Sequence, residues 1–240
     1  MSLLANIAHQ IKSIDLEIMD VLGDEKKEGE ELDIASRESN IIHRLDTALL
    51  NHFKFDMAEG PWIAGGAVMH WVQNMPVGIS QHTGALHDVD VFFKSSEQFD
   101  EFCAQLKDLN KYRNVVVSQR HASKNAHTYE VHISGRGEWT IQCIKKRWFH
   151  GADDIIDHFD FRCCMLVTDG KKLASAPGAL RDIRKRELHV VNFRPETIVK
   201  RTIKYISYGY KYTPKLMALL EAHSQEVVSD YSETDEYDNI

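Results

Sequence analysis

Two short stretches hold residues whose types and spacing could do chemistry together. One is "PWIAGGAVMHWV" (61–72), where Gly65 and Gly66 part an apolar run from a helix-like one; the other is "HDVDVFF" (87–93), where Asp88 and Asp90 sit among Val and Phe. Side chains alternate along a strand, so Asp88 and Asp90 project the same way. Two carboxylates on one face repel unless a cation lies between them. Oxygen ligands at this spacing suit Mg²⁺ or Mn²⁺, which take carboxylates, water and substrate phosphates. Paired glycines leave room for a phosphate chain beside the N–H groups of a helix start. A strand, Gly-Gly, a short helix and a strand with Asp-x-Asp together suit phosphoryl or nucleotidyl transfer from a nucleoside triphosphate. Each part alone has a plainer reading: Asp88 as a loop cap, Asp90 as the partner of a base, Gly-Gly as a turn. Order and strand context favour the chemical one.

Competing chemistries fare worse. His87-Asp88 could open an HD-type phosphohydrolase site, but that site needs ligands on helices and this pair runs straight into a strand. Gly65-Gly66 is not part of a GxGxxG, which disfavours a dinucleotide fold. No Cys/His grouping has zinc spacing.

The elements that must position these residues follow from periodicity. Residues 3–22 and 35–53 read as helices, the second with Ile41, Ile42, Leu45, Leu49 and Phe53 on one face and Ser36 as cap. "WIAG" after Pro61 is a short strand, "AVMHWVQN" one or two helical turns, and Val89–Phe93 a strand. "SSEQFDEFCAQLKDL" is a helix capped by Ser95 or Ser96, with Phe99, Phe102, Cys103 and Leu106 inward. Val115–Val117 is a strand, and "TYEVHI" and "EWTIQCI" form a hairpin around residues 134–137. A short helical piece spans 151–158, and a turn at Asp169-Gly170 leads into a short strand. Pro195–Gly209 is a helix with Ile198, Ile203 and Ile206 on one side; Trp62, Trp71, Trp139 and Trp148 read as core. The expected fold is α+β: a small mixed sheet flanked by helices, with N-terminal helices and a basic C-terminal helical segment. The expected divisions are 1–58 helical, 59–170 core, 171–225 basic and helical, and 226–240 an acidic disordered tail.

The chain has 240 residues and a formal net charge of −7, with acids crowded into 20–33 and 226–240. Between Lys171 and Lys215 the balance reverses, with twelve Lys/Arg against Asp182, Glu187 and Glu196. That excess suits a polyanion such as RNA, or else a solvated helix face. Tyr205, Tyr208, Tyr210 and Tyr212 lie among those cations and could stack bases or pack helices. No run approaches the roughly 18 apolar residues that span a membrane, and the N-terminus lacks the pattern of a secretory signal. The four cysteines form no CxxC. The expectation is a cytoplasmic protein with reduced thiols and no membrane contact.

On these residues the chain resembles the polymerase-β-like nucleotidyltransferase superfamily, and more narrowly the head domain of tRNA CCA-adding enzymes and bacterial poly(A) polymerases. Gly65-Gly66-Ala67-Val68 followed by Asp88-Val89-Asp90 is similar to that family's GGxVRD and strand-borne DxD. "FDFRCCML" (159–166) resembles its RDFTINAL, "APGALRDIRKRELHVV" (176–191) its glycine-rich segment and basic strand, and "RTIKYISYGY" (201–210) its RAIRFAARLGF. The resemblance implies that Asp88 and Asp90 ligate catalytic Mg²⁺ or Mn²⁺ and that Gly65 and Gly66 lie along the triphosphate. It also implies that Asp160 supports the nucleotide site and that Arg201 and Lys204 approach the nucleotide. The implied activity is transfer of a nucleoside monophosphate from an NTP, ATP among the candidates, to a hydroxyl on an RNA 3′ end or a protein.

The departures are specific. Met69-His70 replaces the family's Arg-Asp. The third carboxylate, carried by the family on the second strand of a hairpin, is Gln142 here, which can neither act as a base nor bind Mg²⁺ well. Either Glu130 or Glu138 supplies the third acid, or the chain binds nucleotide or RNA without turnover.

Overall fold

A computed structural model describes residues 17–20, 53–73, 88–135 and 137–234. Its strands are β1 (Glu17–Asp20), β2 (Trp62–Ala64), β3 (Val89–Phe92), β4 (Val115–Ala122), β5 (Ala126–Ile133), β6 (Gly137–Ile144), β7 (Leu166–Thr168) and β8 (Lys172–Ser175), with short β9 (Glu187–Leu188) and β10 (Lys211–Tyr212). The helices are α1 (Gly66–Val72), α2 (Ser96–Asp108), α3 (Ala152–Ile156), α4 (Ala179–Lys185), α5 (Pro195–Ser207) and α6 (Pro214–Thr234). The first eight strands form one sheet in the order β1-β8-β7-β2-β3-β6-β5-β4, and β9 pairs with β10 apart from it. β3 and β6 run parallel while their neighbours are antiparallel, giving the mixed α+β sheet expected.

The central strands bury a largely apolar set of side chains. Trp62, Ile63, Ala64, Val91, Leu166 and Val167 are all buried. Helix α2 covers one face, with Phe99, Phe102, Cys103 and Leu106 inward as their spacing requires. Phe93 holds it edge-on, 5.3 Å from the Phe99 ring and 5.4 Å from that of Phe102. The α2 start is fixed reciprocally: the Gln98 amide N–H donates to Ser95 Oγ at 3.3 Å, and the Lys94 amide N–H donates to Gln98 Oε1 at 2.9 Å.

Several expectations are corrected. Residues 17–20 form an edge strand rather than part of a helix, because β8 offers an unpaired backbone edge that side-chain periodicity does not register. The rest of 3–22, and 35–52, lie outside the described residues. β4 runs on to Ala122, since its outer half is polar and solvent-facing and shows no apolar alternation. The hairpin β7–β8 straddles residue 170, so the core sheet extends to Ser175. Its turn is an Asx turn, in which Asp169 Oδ1 accepts from the amides of Lys171 at 2.8 Å and Lys172 at 2.7 Å. Residues 226–234, expected in a disordered tail, continue helix α6, and 235–240 lie outside the described residues. On α5 the inward face is Ile198, Thr202 and Tyr205, while Ile203 and Ile206 are exposed. Positions 198, 202 and 205 follow the helical repeat, whereas 203 stands five residues, about 140°, from 198. Trp148 is exposed, unlike Trp62, Trp71 and Trp139.

Candidate functional site

Asp88 and Asp90 face the side of the sheet opposite α2. Asp90 is paired with Ala64 of β2 on one side and with Gln142 of β6 on the other, and Gln142 in turn with Thr128 of β5. The parallel register therefore delivers position 142 to the two aspartates. Gln142 Nε2 donates to Asp88 Oδ2 at 2.5 Å, a short bond to a charged acceptor.

β2 delivers the glycines. Gly65 adopts φ 78°, and a Cβ there would meet the Phe159 ring at 2.8 Å. Its amide donates to Leu166 O of β7 at 3.2 Å, which locks the turn to the sheet. Gly66 opens α1 and has nothing within 4 Å of its Cβ position, so its surroundings are open space. The first glycine is demanded by backbone and packing, while the second leaves the pocket clear.

Helix α5 closes the opposite wall. The pocket is lined by Gly66, Asp88, Asp90, Gln142, Arg201 and Lys204, with His70, Phe159, Tyr205 and Tyr208 behind them. Its cavity is small, about 210 Å³, and opens to solvent. Gly66, Asp88, Asp90, Arg201 and Lys204, predicted from the sequence, thus converge on one cavity, and Gly65 sets its edge. Asp160 stands outside the lining. It is buried, and its Oδ2 lies 2.6 Å from Arg201 Nε, a charge contact that holds the guanidinium at the wall. Neither Glu130 nor Glu138 lines the pocket; Glu130 forms an ion pair of 2.5 Å with Arg120. Phe159 and His70 gave no sequence signal of a pocket role, because neither spacing nor residue type marks a wall residue.

The electrostatics follow from the crowding. Burial, and then the charge of Asp88, push the Asp90 carboxyl up to about 7, against the pull of Lys204 and Arg201. Burial raises Asp88 as well, with Lys204 opposing. Two acids whose ionisation is penalised in this way want a cation between them. The donor set fits Mg²⁺ or Mn²⁺ bound through two carboxylates and completed by substrate phosphate oxygens. Asp182, Glu187 and His189 also cluster, but Asp182 already accepts from Arg162 Nε at 2.7 Å and Nη2 at 2.8 Å, which makes it a structural ion pair.

Comparison with known proteins bears on the family and the fold. Residues 36–186 match the Gad2 family, described as Gabija anti-defense 2 family protein. The chain belongs to the Gad2 family. Two solved structures of a CCA-adding enzyme, with ATP and with CTP, are 14% and 15% identical to this Gad2 protein over 87% and 90% of its length, each with a TM-score of 0.50. The tRNA-bound CCA-adding enzyme of Thermotoga maritima is 14% identical over 87% of the chain, with a TM-score of 0.48. The Gad2 chain covers 46% and 48% of the ATP-bound and CTP-bound enzymes, about half their length. No curated protein matches it. The fold is that of the polymerase-β-like nucleotidyltransferases. No described helix is long and apolar enough to cross a membrane.

Proposed function

We propose that this Gad2 protein binds a nucleoside triphosphate with Mg²⁺ or Mn²⁺ and transfers a nucleoside monophosphate to a hydroxyl acceptor. The observation that carries the reading is the single pocket that unites Gly66, Asp88, Asp90, Arg201 and Lys204. Asp88 and Asp90 would hold the metal, and Arg201 and Lys204 would meet phosphate charge. When bound, the metal would neutralise phosphate charge and polarise the α-phosphate. The acceptor oxygen would bond to the α-phosphorus as pyrophosphate leaves. Gln142 has no basic site for the acceptor's proton, so with Asp88 and Asp90 committed to the metal that proton would pass to water in the open pocket. The family description gives the reaction a setting, action against a Gabija defence system, with RNA 3′ ends and protein hydroxyls as the candidate acceptors.

A second reading has its own observation. The Gln142–Asp88 hydrogen bond occupies one oxygen of Asp88 where the resemblance calls for a third acid. A protein that holds nucleotide without turning it over would keep such a pocket.

One experiment separates them. The protein is incubated with labelled NTPs, Mg²⁺ or Mn²⁺, an RNA pool and Gabija proteins, beside Asp88→Ala/Asp90→Ala. Label transfer lost in the double variant supports the transferase. Metal-dependent nucleotide binding without transfer supports the second reading, and neither binding nor transfer removes both.

A further inference from the structure

Helix α5 carries a second surface beside the pocket. Ile203, Val199 and Ile206 are 63, 47 and 43% exposed, and Tyr212 on β10 is 53% exposed. Val199, Ile203 and Ile206 recur at steps of four and three, so they form one stripe. Single exposed aliphatics are ordinary, but several on one helix face mark an interaction site. A lysine ridge borders the stripe. Lys200 lies between it and Lys204 around the helix, and Lys211 and Lys215 flank Tyr212 in the chain; all are exposed. Lys200, Lys211 and Lys215 form no ion pair among the described residues.

Three occupants can be weighed on chemistry. A nucleic acid would use the lysines, but phosphate and stacking contacts have no need of three exposed aliphatic side chains. A second copy joined stripe to stripe about a two-fold axis would set Lys200, Lys211 and Lys215 against themselves. A different protein, with apolar side chains bordered by acids, satisfies both the stripe and the ridge. We propose that Val199, Ile203, Ile206 and the lysine ridge dock an acidic surface of a Gabija-system protein beside the mouth of the pocket. This inference rests on the anti-defence setting given above.

The test measures binding of purified Gabija proteins to the full chain by surface plasmon resonance. Wild type binds. Val199→Ser/Ile203→Asp binds at least about tenfold more weakly. Lys200→Glu/Lys211→Glu slows association and flattens its salt dependence. All of these keep the wild-type circular dichroism and nucleotide affinity. Asp88→Ala/Asp90→Ala binds the Gabija proteins as wild type does, which separates docking from catalysis. The proposal is overturned if wild type does not bind or if the stripe variant binds equally well. It is also overturned if the stripe variant instead abolishes a dimer seen by sedimentation, or abolishes binding of a single-stranded RNA oligonucleotide.

Discussion

Gln142 Nε2 sits 2.5 Å from Asp88 Oδ2, across the parallel β3–β6 pair. On the transferase reading an amide stands where a third acid would complete the site, and it is turned toward an aspartate. The bond relieves part of the charge that burial crowds into the pocket, and it takes up an oxygen that a metal would otherwise share. Site chemistry and apo stability are thus set against each other at one position.

Gln142→Glu places an acid at that position. A carboxylate able to take the acceptor's proton contributes on the order of 10²-fold or more, so label transfer is expected to rise at least about tenfold. The same change places three acids together and removes a hydrogen bond, so apo stability falls by about 1–3 kcal/mol. Single-turnover transfer and urea midpoints check the two outcomes.

Asp90 gives a pH signature. Its folded-state carboxyl is raised to about 7 by burial and by Asp88, above the ordinary value of 3.8. Between those pH values the folded state holds more protons than the unfolded state, so stability falls as pH rises through the window. Asp90→Asn is expected to remove that slope and to be more stable than wild type at pH 8, while losing metal-dependent nucleotide binding. Urea unfolding at pH 5 and pH 8 shows it, and an unchanged slope would overturn it.

His158 acts in the opposite direction, costing stability as pH is lowered. Burial, and then Arg194 and Arg147, hold its imidazole down at about 4, below the ordinary 6.5. The unfolded chain takes up a proton first as pH falls, so stability drops between 6.5 and about 4. His158→Phe should flatten thermal midpoints across that range.

The two glycines should part company. Gly65→Ala meets the Phe159 ring at 2.8 Å in a backbone conformation with φ 78°, and is expected to cost about 1–3 kcal/mol. Gly66→Ala has nothing within 4 Å, so its stability should hold while nucleotide affinity drops, because the added methyl group projects into the pocket. Thermal melts and nucleotide titrations distinguish the pair.

Much of the site is legible in the sequence. Alternation assigned β3, β5 and β6, and period two put Asp88 and Asp90 on one face. Ser95 and the apolar repeat of α2 announced that helix. The edge strand β1 was not legible, because strand pairing depends on a partner edge more than 150 residues away. The outward turn of Ile203 and Ile206 was not legible either, because two apolar faces on α5 compete and only the neighbouring elements choose between them.

The family resemblance marked Gln142 as standing in the third acid's place; by itself the sequence determined which residues could do chemistry: paired acids, paired glycines and two cations one helical turn apart on α5. Those are local facts, set by residue type and by periods of 2 and 3.6. Only the tertiary structure decided that Gln142 bonds Asp88, that Asp160 holds Arg201 from behind, and that Phe159 forbids a side chain at Gly65. Each of these is a contact between residues distant in the chain. Such contacts are fixed by strand register and by packing, and neither is written in local spacing.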